Sequence, residues 1–319
     1  MRKSIGAAVP PMDFLVAKYS ERKKDTMELK KNQNCSTESG NDFQRKKETL
    51  LTQVDEIAKQ DLCLAFSGGV DSSLLLKLVM DASAKYGTRV YAVTFQTRLH
   101  PPCDLETATR VAKEVGTVHE VLYVDELEQE AIRYNPENRC YLCKHHLFGK
   151  LLEFAHAHGV NQVLDGTNED DLHVYRPGLK ALKEYGVISP LAACHVTKAE
   201  VKELAAEYGV SVAYRPSTPC MATRLPYGAE INYDLLDRIA EGEAWLHTMF
   251  GAEENLRLRV HGDIVRLEIA PERMGEVLEK REEIAEYLKN LGFSYLTLDL
   301  EGFRSGSMDQ KIKQKEETK

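Results

Sequence analysis

The sequence predicts an α/β protein: a parallel sheet covered by helices, followed by a smaller α+β unit. Three observations carry that prediction. Short apolar runs alternate with helix-period segments from residue 42 to about residue 208, the pattern of strand–helix–strand crossovers. The first apolar run, Leu62–Phe66, turns through Ser67-Gly68-Gly69 straight into a second, Leu74–Met80, long enough to be a buried helix. Beyond Gly228 the alternation stops, and a long helix, two paired strands, another helix and a last strand follow.

In chain order, residues 1–42 are polar and lysine-rich and read as a disordered leader. A helix over 42–59 feeds the strand at Leu62. After the glycine turn and its helix come a strand over 89–95, a helix over 105–115 and a strand over 119–124. Residues 126–134 read as a helix stopped by Pro136, and 146–158 as another ended by Gly159. Val163-Leu164 is a short strand running into Asp165-Gly166-Thr167-Asn168, with one more short strand expected at Val187-Ile188. A helix over 197–208 has Thr197 as its cap and Glu200 three residues on. The nucleotide-binding part is placed at 43–215, a proline-bound linker at 216–228, the small α+β unit at 229–305 and a charged tail at 306–319. In the small unit the helices span 232–250 and 274–288 and the strands 256–261, 265–270 and 295–300.

A glycine-rich turn between a strand and a helix N-terminus is an anion site, because backbone can approach closely and the first helical N–H groups have no partner. Ser67, Ser72 and Ser73 add hydroxyls. Asp71 would repel a bare phosphate, so it is assigned to Mg²⁺ shared with the phosphates. No lysine follows the glycines, which excludes a Walker A loop. Ser67-Gly68-Gly69-Val70-Asp71-Ser72 instead resembles the signature of PP-loop ATP pyrophosphatases, of the adenine nucleotide alpha hydrolase-like fold. That resemblance implies ATP, gripped by its β- and γ-phosphates and attacked at the α-phosphate. Ligands in such sheets bind beyond the carboxyl ends of the strands, so Gly166, Thr167 and Asn168 are expected at the same nucleotide.

With 319 residues, 43% hydrophobic and 29% charged, the chain has an ordinary globular composition and length for about two domains. A net charge of −8 argues against a large nucleic-acid surface. No run reaches membrane-spanning length and the N-terminus does not read as a signal peptide, so the expected compartment is the cytoplasm. Seven cysteines, an odd number in a long chain, argue against a disulfide framework. Cys63 and Cys194 sit in apolar stretches and read as buried spectators, Cys35 as irrelevant. Cys140 and Cys143 form a C-x-x-C, which alone fits a redox pair, half a metal site or chance. With Cys220 they make three thiolates, too few to close a structural zinc site but suited to a 4Fe-4S cluster with one open iron. Arg215 and Arg224 flank Cys220 and are expected to lower its pKa.

These stretches together resemble the LarE family of PP-loop sulfur transferases. The likeness covers about residues 45–305 and rests on Ser67–Ser72, Asn138–Lys144, Asp165–Asp171, Arg176-Pro177-Gly178, Pro219–Gly228 and Arg257–Asp263. It implies adenylation of a carboxylate of pyridinium-3,5-bis-carboxylic acid mononucleotide. Sulfur from the Cys220 position then displaces AMP, on the way to the nickel-pincer cofactor of lactate racemase. It implies substrate contacts at Arg176, Arg224, Arg257 and Arg259, a metal contact at Glu243, and one of two sulfur sources: a single cysteine that gives up its own sulfur and is left as dehydroalanine, or, where a C-x-x-C is present as it is here, a 4Fe-4S cluster on Cys140, Cys143 and Cys220 that passes on a bound sulfide. The expected partners are a nucleotide substrate, a sulfide donor and further copies of the chain, with no nucleic acid and no membrane. The competing readings are a PP-loop tRNA thiolase, an amide-forming ligase of the NAD synthetase kind and a non-catalytic nucleotide sensor.

Overall fold

The computed structural model describes residues 36–100, 102–215, 218–252, 254–304 and 306–309. Residues 1–35, most of the expected leader and Cys35 with them, lie outside the described residues, as do Pro216, Ser217 and the end of the tail. The chain divides into two units, Met1–Glu48 and Thr49–Lys319. Helix α1 (Ser36–Ile57) starts in the first unit, so regular structure begins before the expected boundary at residue 42. Every later element belongs to the second unit.

Strands β1 (Leu62–Ala65), β2 (Val90–Gln96), β3 (Val118–Tyr123) and β4 (Gln162–Leu164) form an all-parallel sheet in the order β3-β2-β1-β4. β1 is central and buried, pairing Leu62 with Val90 on one side and Gln162 on the other. Its apolar run is continuous because helices cover both faces of such a sheet. Cys63, Val93 and Val163 pack on Phe148 and Leu151 of α4 (Arg139–Ala157). Helix α2 (Val70–Tyr86) buries Leu74, Leu75, Leu78 and Val79 and packs against α7 (Lys198–Glu207). Helix α3 (Pro102–Val115) connects β2 to β3. The order of β2 and β3 on one side of β1 and β4 on the other makes the gap between β1 and β4 the switch point. In an open parallel sheet that is where a crevice opens at the carboxyl ends.

Several sequence expectations are corrected here. Residues 126–134 are two short 3₁₀ turns, Glu126–Glu128 and Glu130–Ile132, not a helix. Asp125 caps the first turn, and Asn135 at φ 45° followed by Pro136 bars propagation. Helix α4 begins at Arg139 rather than His146, so the C-x-x-C lies on its first turns. The segment at 187–188 is a single bridge, Leu164 to Ile188. Helices α5 (Gly178–Glu184) and α6 (Pro190–Ala193) were not foreseen; both are too short to show a period. The expected helix over 274–288 is two, α9 (Met274–Glu279) and α10 (Arg281–Asn290), with Lys280 between them off the helical backbone.

The second sheet is mixed: β5 (Arg257–His261) is antiparallel to β6 (Ile264–Glu268), which is parallel to β7 (Tyr295–Leu298). Helix α8 (Tyr233–Phe250), capped by Asn232, lays Leu236, Ile239 and Leu246 on Leu258, Val260, Val265 and Leu267. The same core takes in Leu99 and Ile132 from the nucleotide-binding part, and Met221, Ala222 and Leu225 from the stretch expected to be a linker. That stretch is a packed seam. Met221 N–H donates to Leu99 C=O (2.8 Å), Gly228 N–H to Asn135 C=O (3.1 Å) and Ile231 N–H to Arg133 C=O (2.8 Å).

Candidate functional site

The loop after β1 is built by glycine. Gly68 has φ +69°, and a Cβ there would lie 2.7 Å from the Ala108 nitrogen, so both conformation and space demand glycine. Gly69 precedes α2 without any side-chain cap, which leaves the helix N-terminus open to an anion. The hydroxyls of Ser67 and Ser72 lie 3.2 Å apart, and Ser73 Oγ is buried without a partner. Ser67 and Ser72 hydroxyls also bond to the loop backbone at 3.2–3.3 Å, so the uncapped helix start and the Ser73 hydroxyl are the open donors that phosphate oxygens accept from.

The loop after β4 closes on it from across the switch point. A Cβ on Gly166 would sit 2.8 Å from the Ser72 nitrogen, so the two loops touch backbone to backbone. Asn168 Nδ2 donates to Asp71 Oδ1 (2.9 Å), while Thr167 and Ser189 hydroxyls donate to Asp165 at 2.5 Å each and fix the loop. Ser67, Gly68, Gly69, Asp71, Ser72, Ser73, Gly166, Thr167 and Asn168 therefore come together. Asp71 Oδ2 also accepts from Lys198 Nζ, a residue the sequence reading missed. One carboxylate beside a phosphate cradle fits Mg²⁺, which takes one or two carboxylates and completes its shell with phosphate and water. Lys198 is the first residue of α7, where the helix dipole disfavours a cation; that mismatch is the signal that could have found it. Arg176 is exposed and pairs with Asp171 (2.9 Å), just beyond Asn168.

The three cysteines gather beyond the carboxyl ends of β2 and β3. Cys140 and Cys143 are on the first turns of α4, and Cys220 is docked there through Met221 and Leu99. Asn135 clamps the Cys220 loop, its Nδ2 donating to the carbonyls of Leu225 (3.1 Å) and Pro226 (3.0 Å), while Arg139 donates to its Oδ1. Burial raises the pKa of Cys143, and Cys220 and Glu126 add to the rise. Burial likewise raises Cys220, opposed by Arg139. The cation beside Cys220 is thus Arg139, not the expected Arg215 and Arg224. Arg215 is taken by Asp104 (2.7 Å), and the charge of Arg224 is taken by Glu243 (2.8 Å). Among the described residues no three His, Cys, Asp or Glu side chains are close enough to hold a single metal ion. A four-iron cluster is wider than an ion and parts its thiolates by its own width, so three soft donors in one neighbourhood, Cys143 and Cys220 half-buried and Cys140 exposed, fit it in kind. Glu126, fully buried, has no donor in hydrogen-bond geometry on either oxygen. Burial raises its pKa although Thr97 and the Arg98 N–H lie near enough to oppose it.

Cys220 is held from the other side by an ion-pair ladder. Arg224 makes a two-pronged pair with Glu243 (3.0 and 2.8 Å) and donates to the carbonyls of Pro219 (3.0 Å) and Cys220 (3.4 Å). Glu243 also accepts from Leu258 N–H (2.9 Å). Arg259 pairs with Glu268 (2.6 Å) and donates to Thr223 C=O (2.6 Å). Arg224, Arg259 and Glu243 are buried and engaged, so a direct substrate contact or a metal contact requires this ladder to open. Arg257 differs: it is half-buried and lies over the Phe303 ring at 5.3 Å. Burial lowers its pKa, and Arg224 and Arg259 lower it further. Glu243 and Glu268 lie near enough to oppose that fall in part.

The asparagine synthase family profile matches residues 47–167, the span of the parallel sheet and both loops. A Lactiplantibacillus plantarum protein named pyridinium-3,5-bisthiocarboxylic acid mononucleotide synthase is 33% identical over 84% of this chain and 95% of its own length. The chain belongs to the LarE family. An uncharacterized Synechocystis protein is 37% identical over 77% of this chain and 91% of its own, and an uncharacterized Methanocaldococcus jannaschii protein 30% identical over 79% and 94%. As a LarE-family member it is an enzyme of the adenine nucleotide alpha hydrolase kind, with ATP as its nucleotide. No helix among the described residues is long and apolar enough to cross a membrane.

Proposed function

We propose that this chain is an ATP-dependent sulfur transferase. It adenylates a carboxylate of pyridinium-3,5-bis-carboxylic acid mononucleotide and replaces AMP by sulfur, giving a thiocarboxylate for the nickel-pincer cofactor of lactate racemase. The observation that carries this reading is the convergence of Cys140, Cys143 and Cys220 at the same sheet edge as the Ser67 loop. A ligase of the NAD synthetase kind has no use for such a cluster, and the name of the L. plantarum relative supports the substrate.

The uncapped start of α2 with Ser67, Ser72 and Ser73 holds the β- and γ-phosphates, which leave as pyrophosphate. Asp71 would hold Mg²⁺, which would supply charge neutralisation to the phosphates, and Lys198 beside it neutralises the charge that builds as the bond between the α- and β-phosphates breaks. The substrate carboxylate oxygen attacks the α-phosphorus, forming the acyl adenylate. Arg257 takes a carboxylate or the phosphate of the substrate, and Arg176 guards the rim. Cys140, Cys143 and Cys220 would hold a 4Fe-4S cluster, which when bound supplies an iron able to carry an extra sulfide. The sulfur nucleophile displaces AMP at the activated carbonyl. Arg224, through the Cys220 carbonyl, keeps Cys220 in place for that transfer.

Anaerobic protein supplied with ATP, Mg²⁺, sulfide and the bis-carboxylate is expected to release AMP and pyrophosphate and to form thiocarboxylate over repeated turnovers. ADP and phosphate as products would refute the adenylation. A dehydroalanine at position 220 in active, iron-free enzyme would instead make Cys220 the consumed sulfur source.

A further inference from the structure

Helix α3 touches both the nucleotide loop and the chain that carries Cys220. A Cβ on Gly68 would lie 2.7 Å from the Ala108 nitrogen, so that loop rests directly on the α3 backbone. Asp104 lies on the same face one turn nearer the helix start. A single oxygen of Asp104, Oδ1, accepts from Arg215 Nη2 and from Thr218 Oγ1, each at 2.7 Å. The stretch leading to Cys220 thus runs back along α3. Near the helix end, Ser211 Oγ donates to Glu114 (2.5 Å) and accepts from Arg110 (2.9 Å), and at its start Arg215 and Thr218 reach Asp104. On the other side of Cys220, Met221 N–H donates to Leu99 C=O (2.8 Å). Cys220 is therefore bracketed by one piece of chain, 99–104, which continues into the helix under Gly68. Asp104 and Arg215 are 16% and 20% exposed, so solvent screens their pair less than it screens an ordinary surface pair. A stiff helix with a packed contact at one turn and an ion pair at the next is an element that can carry coupling between two sites.

We propose that Asp104 is a positioning residue that couples the nucleotide loop to Cys220 through α3, so that Cys220 is seated for transfer while the nucleotide loop is filled. The coupling rests on the sulfur-transfer reading above and deepens it, because it decides the fate of the acyl adenylate. When the sulfur nucleophile attacks the carbonyl carbon, a C–S bond forms, the C–O bond to AMP breaks and its electron pair leaves on AMP. When water attacks the same carbon, the carboxylate returns with AMP and protons, and ATP is consumed without product. With Cys220 held by Asp104, the first attack wins.

Alkylation tests the coupling on the reduced full chain, without cluster, substrate or turnover. Iodoacetamide labelling of Cys220 is followed by mass spectrometry at alkaline pH, with and without Mg²⁺ and α,β-methylene ATP, which cannot be cleaved between those phosphates. The analogue is expected to slow Cys220 labelling about fivefold or more in wild type, the low end of ordinary coupling between sites. In Asp104→Asn the analogue still binds, by equilibrium titration, and the slowing disappears. Direct shielding of Cys220 by the analogue would survive that substitution. Undiminished slowing in folded Asp104→Asn therefore overturns the proposal, as does the lack of any slowing in wild type. Should Asp104→Asn not fold, Thr218→Val decides, since it removes only the bond of an exposed hydroxyl: reduced slowing supports the coupling and undiminished slowing overturns it. Turnover gives a second readout. Iron-loaded wild type supplied with sulfide is expected to form AMP and thiocarboxylate in equal amounts. Asp104→Asn raises AMP per thiocarboxylate about tenfold, the worth of one charge-assisted hydrogen bond, at an unchanged KM for ATP. An unchanged ratio overturns the coupling. Absence of AMP formation in wild type refutes the adenylation instead, and leaves the labelling result to decide the coupling by itself.

Discussion

Lys198 and Asp71 form a pair where a nucleotide's charge would be handled, so the lysine serves more than local stability. Lys198→Met is expected to cut pyrophosphate release by about 10²–10³-fold, the range seen when a charge-stabilising donor is removed. Its melting temperature should stay near that of wild type, because the pair is partly exposed. Activity within a few-fold of wild type would show the pair to be structural. Gly166 makes a prediction of another kind. A methyl group there meets Ser72 backbone at 2.8 Å, which cannot rotate away. Gly166→Ala should cost about 1–3 kcal/mol of stability, read by urea unfolding, and loosen the phosphate cradle with it.

At the scale of elements, the Cys220 turn is pinned between α4 and the β5 strand. Arg224 and Glu243 are 4% and 9% exposed, so removing one partner strands a buried charge. Arg224→Gln is expected to destabilise the fold by about 3–5 kcal/mol, and Arg224→Lys to recover little, since an ammonium cannot make the two-pronged pair. Thermal unfolding of both variants checks this. Helix α4 carries the other half of the cysteine site. Anaerobic wild type should hold about four irons per chain, and Cys140→Ala, Cys143→Ala and Cys220→Ala should each lose most of them, by iron and sulfide analysis. Retention of full iron by all three variants would remove these cysteines from the metal.

Over the whole second unit, one core joins the small sheet to Leu99 and Ile132 of the nucleotide-binding part. Arg98 adds an ion pair to Asp237 (2.7 Å) and stacks over the Tyr233 ring at 4.7 Å. Such a seam should make the two sheets unfold together. Trp245, the single tryptophan, stacks on Tyr287 with ring centroids 4.0 Å apart and reports the small sheet's side alone. Its fluorescence and far-ultraviolet circular dichroism are expected to give the same urea midpoint. Two separated midpoints would mean that the seam yields first.

The sequence by itself determined what local order and chemistry can determine. Ser67-Gly68-Gly69 between two apolar runs marks a strand, a turn and an open helix start, because only glycine admits that backbone and only an uncapped helix offers those N–H groups. The parallel sheet was legible from alternation, and the loop at 165–168 from its place after a strand. Tertiary structure alone decided which charges are free. Arg224, Arg257 and Arg259 look alike in sequence, yet Arg224 and Arg259 are locked to Glu243 and Glu268 while Arg257 lies over the Phe303 ring. It also put Arg139, not Arg215, beside Cys220 and made a seam of an expected linker. The reason is physical: pairing depends on distances across the chain, from 9 residues between Arg259 and Glu268 to 139 between Arg98 and Asp237. No periodicity or composition encodes those distances.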